Sequence, residues 1–294
     1  MPVTSQDILL LAALARCYVL TRDQLQRLCF PDHASGRTTR KRLSKLQQAG
    51  LLQKHRIPVA FPGTTSAAPV YYLTKQGAEL LASWFDDEHY ALSTTRQPRG
   101  DHLNHWIAIN ETRMVIAQAI ALQNRVSLAG WLNEWETVDK NAAAEQRFTL
   151  HTQLSADPPL SCSPDAALLL SMGGVSKVYY LEQDMGTSSP KQVAARKSKG
   201  YAGLAEIHGH RRHFPEATLD SFGVLFVTTS RYRRDQTARL LGKRPRPDLW
   251  LCIDVHDLTA ETFLNGAITC NHLLELAPLV SVPADAPQSE ELVP

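Results

Sequence analysis

Three carboxylates near the ends of two apolar runs are the residues of this 294-residue chain best suited to phosphodiester chemistry. Asp165 follows Pro164 at the start of one strand-like run, whereas Glu182 and Asp184 end the next. Alternate residues of a strand point to the same face, so Glu182 and Asp184 are predicted to share one. If the two strands are neighbours, Asp165 joins them at one sheet edge. Three carboxylates there are candidate ligands for Mg²⁺ in metal-assisted phosphodiester hydrolysis.

The same three carboxylates can instead have a purely structural role, without binding a metal ion. Asp165 can cap a turn, and the other two can be solvated or ion-paired with Arg196 or Lys197 of the segment that follows. That segment is predicted to be a helix, and it carries three lysines and a tyrosine: Lys191, Lys197, Lys199 and Tyr201.

A basic segment near the N-terminus has a different pattern. Thr39, Leu43 and Leu46 recur at helical spacing, which predicts a helix capped by Ser35 and ended by Gly50, with these three side chains buried. Its outer face offers long donors that a recognition helix uses in the major groove. The residues predicted to bind DNA on this helix are Arg37, Arg40, Lys41, Ser44, Lys45 and Gln48.

The segments around this helix predict a winged helix-turn-helix. Two shorter helices precede it, with Ser5 and Thr21 at their starts, and two strands enclose a Pro- and Gly-rich loop after it. The predicted wing adds three further DNA contacts, Lys54, His55 and Arg56, which can neutralise phosphates and make binding salt-dependent. The predicted helices cover residues 5–18, 22–29 and 75–85, and the strands cover 51–56 and 70–73.

Charge is distributed unevenly along the chain. Residues 1–60 hold ten Lys and Arg against three Asp and Glu, a net charge of +7, whereas the rest holds 21 against 26, a net charge of −5. This division is typical of a nucleic-acid-binding module joined to another domain. The sequence has neither a membrane-spanning apolar run nor a signal-peptide pattern, so we expect a cytoplasmic protein without a membrane partner. Its five cysteines are scattered and predict neither disulfides nor a zinc site.

The longer remainder of the chain predicts an α/β domain, a sheet covered by helices. Its predicted helices cover residues 101–122, 190–208 and 232–241, and its strands cover 126–136, 166–171, 177–183, 222–228 and 250–255. The histidine- and arginine-rich segment 208–213 is interpreted as a basic loop, because no cysteine or carboxylate accompanies it at ligand spacing. The predicted organisation is a DNA-binding domain at 1–90, a linker at 91–100, the α/β domain at 101–280 and a flexible tail at 281–294.

Several of these features occur together in one bacterial family. They are the winged helix, a helix with His105, the Pro164-Asp165 pair, the segment Glu182-Gln183-Asp184-Met185-Gly186-Thr187, and Lys197 and Tyr201 on a helix. Over roughly residues 5–255 the chain resembles the replication-relaxation family, which is associated with plasmid and mobile-element replication, relaxation and mobilisation.

The resemblance implies a restriction-endonuclease-like fold for the α/β domain. That fold places an acid on one strand and Glu/Asp-x-Lys on the next, and Asp165 and Glu182 match the two acids. Asp184 stands where the pattern has its lysine, and a carboxylate there would repel phosphate unless a metal covered it. Lys197 could substitute in space. Because fold likeness does not determine chemistry, a scaffold that has lost its activity remains as credible as an active nuclease.

The sequence therefore predicts a double-stranded DNA-binding accessory or regulatory protein with an inactive nuclease-like domain. A homodimer is expected, together with contacts to replication or mobilisation proteins, and DNA binding should need no cofactor. One alternative is an Mg²⁺-dependent endonuclease or nickase with Asp165, Glu182, Asp184 and Lys197 as catalytic residues and the three acids as metal ligands. A second alternative is a transcription repressor of its own operon.

Overall fold

The first part of the fold combines four helices with a small sheet. The computed structural model describes residues 3–32, 35–56, 69–138, 142 and 144–280. The strands form an antiparallel sheet in the order β1-β3-β2. The elements are α1 (Ser5–Cys17), β1 (Val19–Thr21), α2 (Arg22–Cys29), α3 (Arg37–Gln48), β2 (Leu52–His55), β3 (Val70–Leu73) and α4 (Lys75–Phe85).

Local sequence explains where these helices begin. Thr4 and Thr21 form capping boxes with the third residues of α1 and α2, so the predicted cap at Ser5 lies one residue too late. The cap of α3 predicted at Ser35 lies one residue too early, because Gly36 directly precedes the helix with a φ of 57°, although the Ser35 hydroxyl accepts from the Arg37 amide at 3.4 Å. Glycine tolerates this left-handed conformation because it lacks a Cβ. The predicted buried stripe of Thr39, Leu43 and Leu46 is confirmed.

A seven-stranded mixed sheet dominates the second part. Its order is β12-β11-β10-β9-β8-β7-β4, in which β8, β9 and β10 run parallel and the other pairs run antiparallel. The elements are α5 (Leu103–Ala121), β4 (Val126–Asn133), α6 (Ala144–Arg147), β5 (Thr152–Ala156), β6 (Pro159–Cys162), β7 (Ala166–Met172), β8 (Val175–Gln183), α7 (Pro190–Glu206), α8 (His210–His213), β9 (Phe222–Thr228), α9 (Arg231–Leu241), β10 (Trp250–Asp254), β11 (Thr269–Cys270) and β12 (Leu276–Ala277).

Both faces of this sheet are covered. On β7, Leu168 and Leu170 pack in the core that includes α5, whereas Ala167 and Leu169 pack in the core that includes α7 and α9. The two sets alternate because successive side chains of a strand point to opposite faces. The expected mixed α/β architecture, a sheet covered by helices, is therefore confirmed. Fully buried strands read as continuous apolar runs, which is why β7 and β9 were predictable from sequence.

The N-terminal elements pack directly against α5. The side-chain amide of buried Asn110 donates to the backbone oxygens of Cys17, at 3.1 Å, and Val19, at 2.8 Å. Gln24 Nε2 donates to the backbone oxygen of Ile107 at 3.0 Å. Tyr18 lies in the same core cluster as the α5 side. These bonds fix the small sheet on the first turns of α5.

Several elements were not predicted. They are β1, the β5–β6 hairpin, the two-residue strands β11 and β12 and the short helices α6 and α8, all of which are brief or lack a clear hydrophobic period. The predicted wing loop and the predicted tail fall largely on residues 57–68 and 281–294, outside the described residues. Among the helices that the structure describes, none is both long enough and apolar enough to cross a bilayer.

Candidate functional site

Three neighbouring strands bring carboxylates to one end of the large sheet. The amide of Glu134, just after β4, donates to the backbone oxygen of Asp165 at 3.2 Å. The amide of Asp165, just before β7, donates to the backbone oxygen of Leu181 at 3.1 Å, which places Glu182 of β8 next along the edge. The condition set in the sequence analysis, that the strands of Asp165 and Glu182 are neighbours, is therefore met.

These carboxylates line a cleft of about 530 Å³ between the end of the sheet and the adjoining helices. α5 contributes His105 and α7 contributes Lys197 to its wall. We refer to this feature as the cleft, and its residues central to the chemistry are His105, Glu134, Asp165, Glu182 and Lys197.

His105 pairs with Asp165 across the cleft, with Nε2 3.4 Å from Oδ2. The backbone amide of Gln183 donates to the same oxygen at 2.7 Å. Burial opposes charge on the imidazole, but hydrogen bonding and attraction to Asp165 raise the pKa of His105 overall. Burial likewise opposes charge on the carboxylate, but His105 and Lys197 hold the pKa of Asp165 below its usual range. His105 is thus a residue of the cleft and pairs with its Asp165 carboxylate.

Glu134 is a cleft residue that the sequence analysis missed. The indole N–H of Trp106 donates to its carboxylate. Burial and the nearby charge of Asp165 raise the pKa of Glu134. The available signal was its place just after the strand that pairs with β7, but recognising it required knowing that pairing.

Glu182 and Lys197 form a buried ion pair. Lys197 Nζ lies 2.8 Å from Oε1 and 2.7 Å from Oε2 of Glu182, and the hydroxyl of Tyr201 donates to Oε1 at 2.6 Å. Burial, with Asp165 nearby, raises the pKa of Glu182 against the pull of Lys197. The two carboxylates raise the pKa of Lys197, so its ammonium group stays charged.

Asp184 does not share this arrangement. Arg233 of α9 contacts both of its carboxylate oxygens, with Nη2 2.8 Å from Oδ1. The hydroxyl of Thr228 donates to its Oδ2 at 2.7 Å. Asp184 lies just beyond the end of β8, so the alternation that would place it beside Glu182 no longer governs it. The predicted three-acid ligand set is therefore not assembled as expected, because Arg233 already compensates the third acid.

A group suited to a metal ion is assembled from a different set. His105, Glu134 and Asp165 each offer one ligand atom, and these atoms all lie within 4.8 Å of one another. Of the predicted ligands Asp165, Glu182 and Asp184, only Asp165 belongs to this group. Glu182 is held by Lys197 and Tyr201 instead.

The other predicted binding residues lie on a separate surface. All six residues predicted on α3 are exposed, and we call them together the α3 surface: Arg37, Arg40, Lys41, Ser44, Lys45 and Gln48. Lys54 and Arg56 on and after β2 are also exposed, whereas His55 is half-buried with its Nδ1 3.2 Å from Gln97 Nε2. Lys54 and His55 lie on β2 rather than in the loop.

The segment 208–213 is not the basic loop that the sequence suggested. His210–His213 is a short helix, and buried His213 contacts the Tyr180 hydroxyl through Nδ1 at 2.6 Å. Burial lowers the pKa of His213 to about 4. Two of its three histidines, His210 and His213, are therefore buried, whereas His208 is exposed.

Comparison with known proteins places the chain in a family. The sequence model described as "Replication-relaxation" matches residues 11–216, more than half of the chain. The chain therefore belongs to the replication-relaxation family, as the resemblance implied.

Two further comparisons add little to this assignment. A search of curated proteins found no match to this chain. Among solved structures, the restriction endonuclease FokI is similar at 12% identity and a TM-score of 0.28, over 86% of this chain and 42% of that chain. The chain thus spans less than half the length of FokI, and the likeness is too distant to establish a shared fold or activity.

Proposed function

We propose that this protein binds double-stranded DNA through the α3 surface, as an accessory or regulatory protein of a plasmid or another mobile element. The observation that carries the proposal is that the cations of this surface are exposed and have no acidic partner among the described residues. Family membership supports the biological setting. The N-terminal elements would act as a winged helix-turn-helix, with α3 as the recognition helix.

The composition of α3 supports a role in binding an anion. The helix contains no acidic residue. Its one inward-facing cation, Arg42, is already paired with Asp7 at 2.8 Å and also donates to Thr4. One cation of the helix is therefore engaged in an ion pair within the protein. The other four are available to bind an anionic partner: Arg37, Arg40, Lys41 and Lys45.

Phosphate is the partner that this surface fits best. Exposed lysine and arginine release condensed counterions when they neutralise DNA phosphates, so unpaired cations contribute strongly at low salt. Lys54 and Arg56 extend the basic surface onto the predicted wing. Ser44 and Gln48 supply uncharged donors on the same helix for base edges.

A gel-shift experiment tests this proposal. The full chain should shift a duplex fragment from its own genetic neighbourhood at low salt, without added metal. The variant Arg40→Ala with Lys41→Ala should bind much more weakly. Absence of a shift by the folded protein, or a shift that the double variant leaves unchanged, contradicts the proposal.

A second candidate function, metal-dependent hydrolysis of DNA, is favoured by one specific observation. Asp184 occupies the sequence position at which the nuclease pattern has its lysine. Lys197 of α7 nevertheless places an ammonium group beside Glu182. Asp165 directly precedes β7, the strand that neighbours β8, which supports the match to the first acid of that pattern. An amine there can contact a non-bridging phosphate oxygen, while a bound Mg²⁺ would supply Lewis-acid polarisation of the phosphate and activation of water.

Plasmid nicking separates the two candidates. Supercoiled plasmid is incubated with the full chain and Mg²⁺ or Mn²⁺, and with Asp165→Asn as the matched variant. Metal-dependent nicking that the variant abolishes supports hydrolysis in the cleft. Binding without nicking leaves the cleft as a scaffold that has lost its activity and supports the accessory role alone.

A further inference from the structure

We infer that His105, Glu134 and Asp165 form a binding site for one first-row transition-metal dication, with Mn²⁺ as its representative, and that its open coordination positions face the cleft. This set differs from the three carboxylates that the sequence predicts. The inference does not depend on DNA binding by the α3 surface.

The three candidate ligands converge from separate parts of the fold. His105 lies on the first turns of α5, Glu134 directly follows β4 and Asp165 directly precedes β7. Metal–ligand bonds of about 2.1 Å place the ligand atoms of one ion roughly 3 to 4 Å apart. His105 Nε2 and Asp165 Oδ2 are 3.4 Å apart, and all three ligand atoms lie within 4.8 Å of one another. Small side-chain movements would therefore close the set around an ion.

Hydrogen bonds from outside the set orient two of the ligands. The indole of Trp106 donates to the Glu134 carboxylate, and the amide of Gln183 donates to Asp165 at 2.7 Å. Both donors are themselves fixed: Trp106 is buried in the core and the Gln183 amide is part of the backbone at the end of β8. Such outer hydrogen bonds hold ligating carboxylates in one orientation and are a regular feature of metal sites.

The neighbouring acids have other partners. Lys197 and Tyr201 donate hydrogen bonds to the carboxylate of Glu182, and Arg233 donates to that of Asp184. Neither acid needs a metal ion to compensate its charge. By contrast, Glu134 has no cationic partner within hydrogen-bond distance among the described residues, and its charge lies beside that of Asp165.

The donor types select the class of metal. One imidazole nitrogen with two carboxylates suits Mn²⁺, Fe²⁺, Co²⁺, Ni²⁺ or Zn²⁺, whereas Mg²⁺ and Ca²⁺ prefer oxygen ligands throughout. Three protein ligands leave positions for water or for an oxygen of a bound molecule. The cleft of about 530 Å³ that these ligands line gives such a molecule access.

Manganese binding to the full chain, measured without DNA, tests the inference. Electron paramagnetic resonance follows the free Mn²⁺ signal as metal is titrated into the protein. The wild-type chain should bind one Mn²⁺, Zn²⁺ should displace it, and a large excess of Mg²⁺ should not. Because changes to outer hydrogen bonds alone weaken metal sites by about 10-fold to 100-fold, loss of a ligand should weaken Mn²⁺ binding at least about 10-fold.

Isosteric variants separate this set from the predicted one. Glu134→Gln and His105→Gln preserve side-chain size and should each weaken Mn²⁺ binding at least about 10-fold. Asp184→Asn tests the acid that Arg233 holds, and His89→Ala tests a remote exposed histidine, so both should bind Mn²⁺ as the wild type does. Circular dichroism confirms that each variant is folded.

Three results would overturn the inference. They are a folded wild-type chain that binds no Mn²⁺, wild-type affinity in both Glu134→Gln and His105→Gln, or displacement by Mg²⁺ as effective as by Zn²⁺. Loss of binding in Asp184→Asn but not in Glu134→Gln would assign the metal to the carboxylate set instead. The gel shift is scored separately at low salt without metal, so failure of DNA binding and failure of metal binding are distinguishable.

Discussion

The α3 surface and the cleft are both rich in charged residues, but they hold their charges in opposite ways. On the α3 surface, Arg40 and Lys41 are exposed to solvent without an acidic partner among the described residues. In the cleft, the Lys197 side chain is 21% exposed and its partner Glu182 only 5%. The α3 surface keeps its cations solvated, whereas the cleft holds the charges of Lys197 and Glu182 against each other.

This difference separates two kinds of interaction with a polyanion. Solvated cations have no fixed side-chain geometry. Their binding to a phosphate backbone is favoured by the release of counterions, so it does not require a defined geometry. Chemistry on a phosphate needs charges that are already oriented when the substrate arrives. The solvated cations of the α3 surface therefore suit the proposed binding of DNA, whereas the oriented charges of the cleft suit the proposed metal site.

The largest expected effect comes from breaking a charge pair in the cleft. Lys197→Ala leaves the carboxylate of Glu182 buried without its cation. Removing one partner of a buried pair lowers the free energy of unfolding by roughly 3 to 5 kcal/mol, and urea denaturation measures the loss.

A double variant controls for the loss of the lysine side chain. Lys197→Met with Glu182→Gln removes both charges and keeps an acceptor for Tyr201, so it should recover most of the lost stability. A loss below about 1 kcal/mol in Lys197→Ala, typical of exposed pairs, would mean that the cleft behaves like solvated surface.

Acid should destabilise the protein through buried His213. Its pKa is about 4 in the folded state, against an ordinary value of 6.5, because burial disfavours the charged imidazole. A depressed pKa contributes stability that is present above pH 6.5 and lost as the pH falls towards 4. The shift corresponds to roughly 3 kcal/mol of unfolding free energy.

Thermal or urea unfolding across this pH range measures the dependence. The His213→Asn variant cannot titrate at that position, so its stability should fall less steeply between pH 6.5 and 4 than that of the wild type. Parallel pH profiles for the two proteins would show that His213 is not buried in its neutral form.

Arg42 provides the internal contrast on α3 itself. Its partner Asp7 is 2% exposed, whereas the Arg42 side chain is 23% exposed, and it also bonds to Thr4. Arg42→Ala should lower the free energy of unfolding by about 2 kcal/mol, because Asp7 loses its cation. At temperatures where the variant stays folded, its affinity for DNA should change little. A strong loss of binding with unchanged stability would reverse the roles assigned to Arg42 and Arg40.

Periodic patterns made much of the architecture predictable. The α3 stripe of Thr39, Leu43 and Leu46 and the strand at 222–228 follow from helical spacing and from a continuous apolar run, and both are confirmed. The adjacency of the Asp165 and Glu182 strands was stated only as a condition, which the antiparallel pairing of β7 with β8 meets. Helical spacing and apolar runs involve residues close together in the chain, so a single sequence is enough to predict them.

The remaining parts of the cleft depend on contacts distant in sequence. Glu134 approaches Asp165 because β4 pairs with β7. Arg233 forms an ion pair with Asp184 although the two residues are 49 positions apart in the sequence. Neither contact produces a repeating pattern in the sequence, since tertiary packing determines which distant side chains meet. The sequence offered Lys197 both as an ion-pair partner of the two acids and as a substitute lysine in space, and only the structure shows that it pairs with Glu182.

The most direct test of DNA binding by the α3 surface is a salt titration of duplex binding, followed by fluorescence anisotropy. Arg40→Ala with Lys41→Ala is compared with a control of equal charge, Arg125→Ala with Lys243→Ala, whose exposed cations lie in loops outside the N-terminal elements. Each lost phosphate contact reduces the slope of log affinity against log salt by about 0.9, so the α3 variant should lose about 1.8 of slope and roughly 10-fold in affinity, with its stability unchanged. The control should keep the wild-type slope. Equal slopes for all three proteins would contradict DNA binding through α3.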